Sequence, residues 1–154
     1  MWRRDDIMFQ KILVPVDGSN TAWKALKTAA VLAEKFDGEL VVMTVMEPYD
    51  AIGSMSMNLD PEIMASNLGE MKKASMGVLD AAKTKVKEYG FKGKADYVEM
   101  DGNPAKLILN KAKKDKCDSI VMGSRGLSGI AEFFLGSVSS KVSQYAEIPV
   151  FIVK

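Results

Sequence analysis

Lys11-Ile12-Leu13-Val14-Pro15-Val16 is a short, nearly unbroken apolar run that ends in Asp17-Gly18-Ser19. A strand buried on both faces reads this way, and the three residues after it supply a turn and a helix cap. Just beyond, Ala22, Ala25, Leu26, Ala29, Ala33 and Phe36 recur every three or four residues, the stripe of an amphipathic helix closed by Asp37-Gly38. The unit strand, turn, helix then repeats along the chain. Leu40–Met46, Ala95–Met100, Asp118–Met122 and Val150–Val153 are further strands. Residues 61–89 have the composition of one or two helices, with Pro61 at a first turn and Gly90 as terminator. Asn103-Pro104 opens a helix with Ala105, Ile108, Leu109 and Ala112 inward, and residues 137–146 form another with Val138, Val142 and Tyr145 inward.

Five buried strands alternating with helices predict an α/β fold, a single doubly wound five-stranded parallel sheet with helices on both faces. Such sheets take ligands beyond the carboxyl ends of their strands, where strand order reverses. Here those ends are Val16-Asp17-Gly18, Val45-Met46-Glu47, Met100-Asp101-Gly102 and Met122-Gly123-Ser124.

The chain is 154 residues long, 47% hydrophobic and 27% charged, which suits one globular domain over residues 1–154. Its formal charge is +1, too little for a global basic field, so nucleic acid is not an expected partner. Lysines cluster in 83–94 and 106–116 on helices, as solvated faces do. There is no histidine and one cysteine, Cys117, read as buried filler. Ser-His-Asp and Cys-His catalysis, a Cys/His zinc site and an intrachain disulfide are thereby excluded. No run reaches the roughly 18 apolar residues of a membrane span, and no leader is visible, so a cytoplasmic location is expected.

The most informative stretch is Gly123-Ser124-Arg125-Gly126-Leu127-Ser128-Gly129, which continues to Gly136-Ser137-Val138-Ser139. Glycines after a strand let the backbone approach a ligand, and a helix start offers free N–H groups to phosphate, with the Ser137 and Ser139 hydroxyls as added donors. The plainer alternative has the glycines shape a loop and Ser137 cap the helix. Arg125 is either a phosphate fork or an exposed loop residue. Neither G-x-x-x-x-G-K-[ST] nor G-x-G-x-x-G occurs, which removes support for kinase-like or hydride-transfer chemistry.

Together these residues resemble the universal stress proteins. The likeness rests on Lys11–Ser19, on Gly102-x-Pro104, on the closing Pro149–Val153, and above all on G-x2-G-x9-G-[ST], filled by Gly123, Gly126, Gly136 and Ser137. It implies strand order 3-2-1-4-5 and the ATP-binding class of the family. It also implies phosphates among Gly126, Gly136, Ser137, Val138 and Ser139, ribose against Met122 and Gly123, a nucleoside pocket lined by Pro15, Val16 and Asp17, and adenine at the backbone of Val45. Asp17 and Val45 also have structural readings, as turn former and strand residue. ATP would be the cofactor, with Mg2+ held mainly by its phosphates, and a homodimer would form through Val150–Val153. No protein partner is named by the resemblance.

Thr44 stands where many relatives have histidine, which leaves no imidazole to drive hydrolysis. The implied function is a nucleotide-responsive stress-response module with at most slow hydrolysis or autophosphorylation. An adenylate-handling hydrolase or transferase, and an interaction protein that holds no nucleotide, are the alternatives. Residues 1–7 read as an extension. Residues 47–61 read as a variable loop whose methionines, Met55 and Met57 with Met64 just beyond, either pack on the next helix or form a lid or partner surface.

Overall fold

A computed structural model describes residues 7–47, 60–126 and 135–154. Expectations for the extension before residue 7, for Met55 and Met57, and for Leu127, Ser128 and Gly129 lie outside the described residues.

Strands β1 (Lys11–Pro15), β2 (Glu39–Met46), β3 (Ala95–Asp101), β4 (Ser119–Gly123) and β5 (Val150–Val153) form one parallel sheet in the order β3-β2-β1-β4-β5. The switch point therefore lies between β1 and β4, whose neighbouring helices leave the sheet on opposite faces. Helix α1 (Asn20–Lys35) and α2 (Pro61–Glu88) cover one face, while α3 (Pro104–Lys114) and α4 (Ser137–Tyr145) cover the other. Side chains alternate between two cores accordingly: Ile12 and Val14 of β1 join the α1–α2 core, and Leu13 joins the α3–α4 core.

Only the three central strands are buried as expected. Residues of β3 and β5 are largely intermediate in exposure, because each is an edge with a neighbour on one side only. Two helix faces also differ from the sequence pattern. Phe36 caps the C-terminus of α1, is 43% exposed and sits against Phe9 with ring centroids 5.4 Å apart. Tyr145 ends α4 at 65% exposure, and Ser139 takes an inward place on that helix. The one-turn spacing that marked both aromatics extends past the point where each helix still meets the sheet.

Caps follow the sequence closely. The Ser19 hydroxyl accepts the Ala22 N–H at 3.3 Å, and Asn103 Oδ1 accepts that of Lys106 at 3.1 Å with Pro104 behind it. Residues 61–88 are one helix, not two, opened by Asp60 and Pro61. Its first ten residues are exposed all round, Met64 among them; Ser75, Leu79, Ala82 and Val86 carry the buried stripe. The turn after α1 departs in detail. Asp37 takes the left-handed conformation at φ 51°, and Gly38 is needed because a Cβ there would lie 2.0 Å from the Phe9 carbonyl oxygen.

Asp118, at the foot of β4, is a tie invisible in the sequence. Its Oδ1 accepts the Phe9 N–H at 3.0 Å, and Oδ2 accepts those of Gln10 at 2.7 Å and Lys11 at 3.0 Å. Removing a carboxylate that holds three backbone donors should destabilise the protein by about 2 kcal/mol. Urea unfolding of Asp118→Ala measures this, and a loss below about 0.5 kcal/mol would show the clamp to be idle.

Cys117 is buried as expected, and burial pushes its thiol up to about 11. The native state then binds the thiol proton more tightly than the unfolded chain. This group's contribution to stability is complete below about pH 9 and is lost as pH climbs towards 11. At pH 8 an aromatic disulfide reagent is expected to leave the native thiol unmodified over hours and to titrate it within minutes in denaturant. Rapid labelling of the native protein would contradict this.

Candidate functional site

Above the carboxyl ends of β1, β2 and β4 lies a cavity of about 820 Å³, within the range of small-molecule sites. All twelve residues singled out from the sequence line it: Pro15, Val16, Asp17, Val45, Met122, Gly123, Arg125, Gly126, Gly136, Ser137, Val138 and Ser139. The first three come from the end of β1 and its turn, Val45 from β2, and the remainder from the end of β4 and the start of α4. The topology brings together residues more than a hundred positions apart.

The glycines serve different purposes. A Cβ on Gly123 would lie 2.6 Å from Thr21 Oγ1, 2.8 Å from Thr21 C and 2.9 Å from Ala22 N, so this glycine lets β4 pass against the first turn of α1. Among the described residues, the one close neighbour of a Cβ on Gly126 is Asp17 Oδ2, at 2.9 Å. Among the described residues nothing lies closer than 3.4 Å to a Cβ at Gly136, and its φ of −61° suits any residue. Packing demands glycine at 123, while the described neighbours of 136 leave room for a Cβ.

Gly136, not Ser137, is the N-cap of α4, which corrects the capping role given to Ser137. A glycine cap has no side chain to accept the N–H groups of the first turn. Those of Ser137, Val138 and Ser139 precede the first intrahelical bond, from Ser140 N–H to Gly136 O at 2.9 Å, and belong to residues lining the cavity. The Ser139 hydroxyl, by contrast, is not free for a ligand. It donates to Ser124 O at 2.9 Å and Gly136 O at 3.1 Å, so Ser139 has only its backbone N–H to offer.

The ends of the glycine loop are held firmly. Ser124 O also accepts the Gly136 N–H at 2.8 Å, Ser124 N–H donates to Val153 O at 2.8 Å, and Arg125 O accepts the Thr21 hydroxyl at 2.6 Å. Asp17 fulfils its turn-forming reading through Oδ1, which accepts the Ser19 N–H at 2.9 Å, while Oδ2 faces Gly126. Val16 N–H continues the ladder to Met43 O at 2.8 Å.

Among the described residues the charged side chains on the cavity wall are Asp17, Glu47 and Arg125. An anion here would be received by backbone N–H groups and the dipole of α4 more than by side-chain charge. The motif reading passed over the α2 wall, formed by Met71, Ala74, Ser75 and Val78. These residues lie in a helix with no motif of its own; only the spacing of four between 71, 75 and 79 hints at a shared face.

Fold and site define a doubly wound α/β protein with a crevice at its topological switch point. The chain belongs to the universal stress protein family, whose profile, "Universal stress protein family", matches residues 8–154. Universal stress protein YxiE of Bacillus subtilis is 41% identical over 96% of this chain and 100% of its own length. The solved structure of MJ0577, a universal stress protein of Methanocaldococcus jannaschii, superposes with a TM-score of 0.78 at 27% identity, covering 96% of this chain and 97% of that one. The universal stress protein from Archaeoglobus fulgidus solved in complex with dAMP shares the fold with a TM-score of 0.68 at 21% identity, covering 96% of this chain and 100% of that one. No helix among the described residues is long and apolar enough to cross a membrane.

Proposed function

We propose that this protein is an ATP-holding universal stress protein, a nucleotide-responsive binding module whose phosphate seat is the start of α4. The observation that carries the reading is the side-chain-free cap at Gly136, which leaves the first N–H groups of α4 without a side-chain acceptor, on residues that line a cavity of nucleotide size. The G-x2-G-x9-G-[ST] spacing places Gly126 beside it. The Archaeoglobus fulgidus protein adds that a chain with this fold accommodates an adenine nucleotide.

In this reading the amides of Ser137, Val138 and Ser139 with Gly126 receive phosphate, and Arg125 lies within the same wall. Met122 and Gly123 border the ribose, and Pro15, Val16, Asp17 and Val45 line the nucleoside end. With Asp17 and Glu47 on the wall, a polyphosphate needs a counter-charge, and Mg2+ carried on the phosphates supplies it. The phosphates are then the main ligands of the ion. Efficient hydrolysis is not part of the proposal. Asp17, the carboxylate beside Gly126, already orders its own turn, and the chain has no imidazole.

The half-exposed edge β5 is the surface through which two copies would pair. Calorimetric titration of nucleotide-stripped protein with MgATP tests the binding claim. Saturation at one nucleotide per chain supports it, and no heat of binding at millimolar ATP defeats it. Multiple turnovers of ATP or an adenylated substrate in the same preparation would move the protein to the enzyme class.

A further inference from the structure

Glu99 is a carboxylate on the inner side of an edge strand. Ala95 and Tyr97 of β3 pack on the α1–α2 core while Val98 and Met100 pack on the other, so the two-residue period turns Glu99 towards α2. Its side chain is 7% exposed; Oε2 pairs with the Lys72 ammonium of α2, and Oε1 is buried without a hydrogen-bond partner. Lys72 also lies 3.6 Å from Asp101 Oδ1, at the end of the same strand. Among the described residues these are the hydrogen-bonded and ionic side-chain contacts between α2 and the sheet.

Stability does not account for the pair. Burying a carboxylate costs about as much as an ion pair returns, and apolar groups of similar volume would hold the helix at least as well. A directional pair can instead supply register, since a stripe of apolar side chains alone lets a helix slide or turn. Helix α2 needs such an anchor. Its residues 61–70 are exposed on every side, so Lys72 is the first tie the helix meets on reaching the sheet. Gly69 and Gly77 bracket that tie. Among the described residues no atom lies within 4 Å of a Cβ added at either, so packing does not require them, and glycine loosens a helix interior.

Between those glycines lie Met71, Ala74 and Ser75 of the cavity wall, with Val78 one residue beyond. On the sheet, Glu99 is the register partner of Thr44, which lines the same cavity. The phosphate seat at α4 is across β1 from here, because β2 and β4 flank β1 on opposite sides. We propose that Lys72 and Glu99 are positioning residues whose ion pair fixes α2 over β2 and β3 and so sets the wall that receives the nucleoside half of the ligand; this rests on the nucleotide reading above. Neither side chain belongs to the cavity wall, so both act through Met71, Ala74 and Val78.

The test is calorimetric titration of wild type, Lys72→Arg and the double variant Lys72→Met/Glu99→Leu, with MgATP and with magnesium tripolyphosphate, which fills only the phosphate seat. The double variant replaces the pair by apolar groups and strands no charge. It should bind ATP about 3- to 30-fold more weakly and tripolyphosphate as well as wild type does. Its thermal midpoint should hold or rise. Lys72→Arg, which keeps the pair, should match wild type with both ligands. Equal ATP affinity in wild type and double variant would overturn the proposal. So would a parallel loss for both ligands, or an ATP loss in Lys72→Arg as large as that in the double variant. A midpoint lowered by more than about 5 °C would also overturn it, by making the pair a scaffold bond. A wild type that binds neither ligand would instead refute the nucleotide reading, and the positioning role with it.

Discussion

Gly136→Val should leave the protein folded and reduce its affinity for MgATP by about two to four orders of magnitude. A Cβ at this position meets Arg125 Cα at 3.4 Å, Ser124 O at 3.5 Å and Gly126 N at 3.6 Å, all ordinary contacts, and the backbone is already in an extended conformation open to valine. The cost to the free protein is that of replacing a tolerated cap with a poor one, about 1 kcal/mol. The effect on binding is much larger, because the branched side chain fills the gap between the Gly126 and Gly136 backbones where phosphate would approach. Two charge-assisted bonds at about 1.5–3 kcal/mol each would be lost, which sets the expected range. Circular dichroism with thermal melts, with and without MgATP, separates the two effects. The variant should melt near the wild type when free and gain nothing from the ligand. A ligand-induced shift equal to that of the wild type would exclude the gap as the phosphate path.

Gly123→Ala should act in the opposite way, damaging the fold first. Two of the three atoms a methyl group would strike are backbone, at 2.8 and 2.9 Å, so α1 must withdraw from β4 and strain the Thr21 hydroxyl bond to Arg125 O. Overpacking of this kind costs about 3 kcal/mol, a fall in thermal midpoint of about 6–12 °C for a domain of this size. A midpoint within 2 °C of wild type, measured by calorimetry, would mean that the β4–α1 contact yields freely. The two glycines share a motif and have separable jobs, one for the scaffold and one for the ligand.

Much of this architecture can be read from the chain before any coordinates. The apolar run through Val16, the alanine stripe of α1, and the Asn103-Pro104 opening of α3 are local signals with local causes, and each element lies within a residue or two of its expected place. That these residues meet at one cavity was legible partly for a similar reason, since a doubly wound sheet gathers the carboxyl ends of its strands wherever they fall in sequence, and partly from the resemblance, which implied Pro15 and Val138. What stayed hidden depends on contacts between distant parts. Asp118 reaches backbone donors 107 to 109 positions away, and nothing next to it marks it as a clamp. The Ser139 hydroxyl looks like a phosphate donor until Ser124 O, fifteen residues earlier, is found to hold it. Ser75 lies in a helix rich in Ala, Met and Lys without a motif, and only the cavity wall distinguishes it. Phe36 and Tyr145 fit a helical stripe whose partner surface ends before they do.

The central claim is that the first amides of α4 receive the phosphates of an adenine nucleotide. Backbone amide NMR of the nitrogen-15-labelled protein, titrated with MgATP, tests it most directly. Saturable shifts are expected at Ser137, Val138 and Ser139, the largest in the spectrum and reproduced by magnesium tripolyphosphate. Saturation with those three amides unmoved, or shifts confined to another face of the sheet, would contradict it.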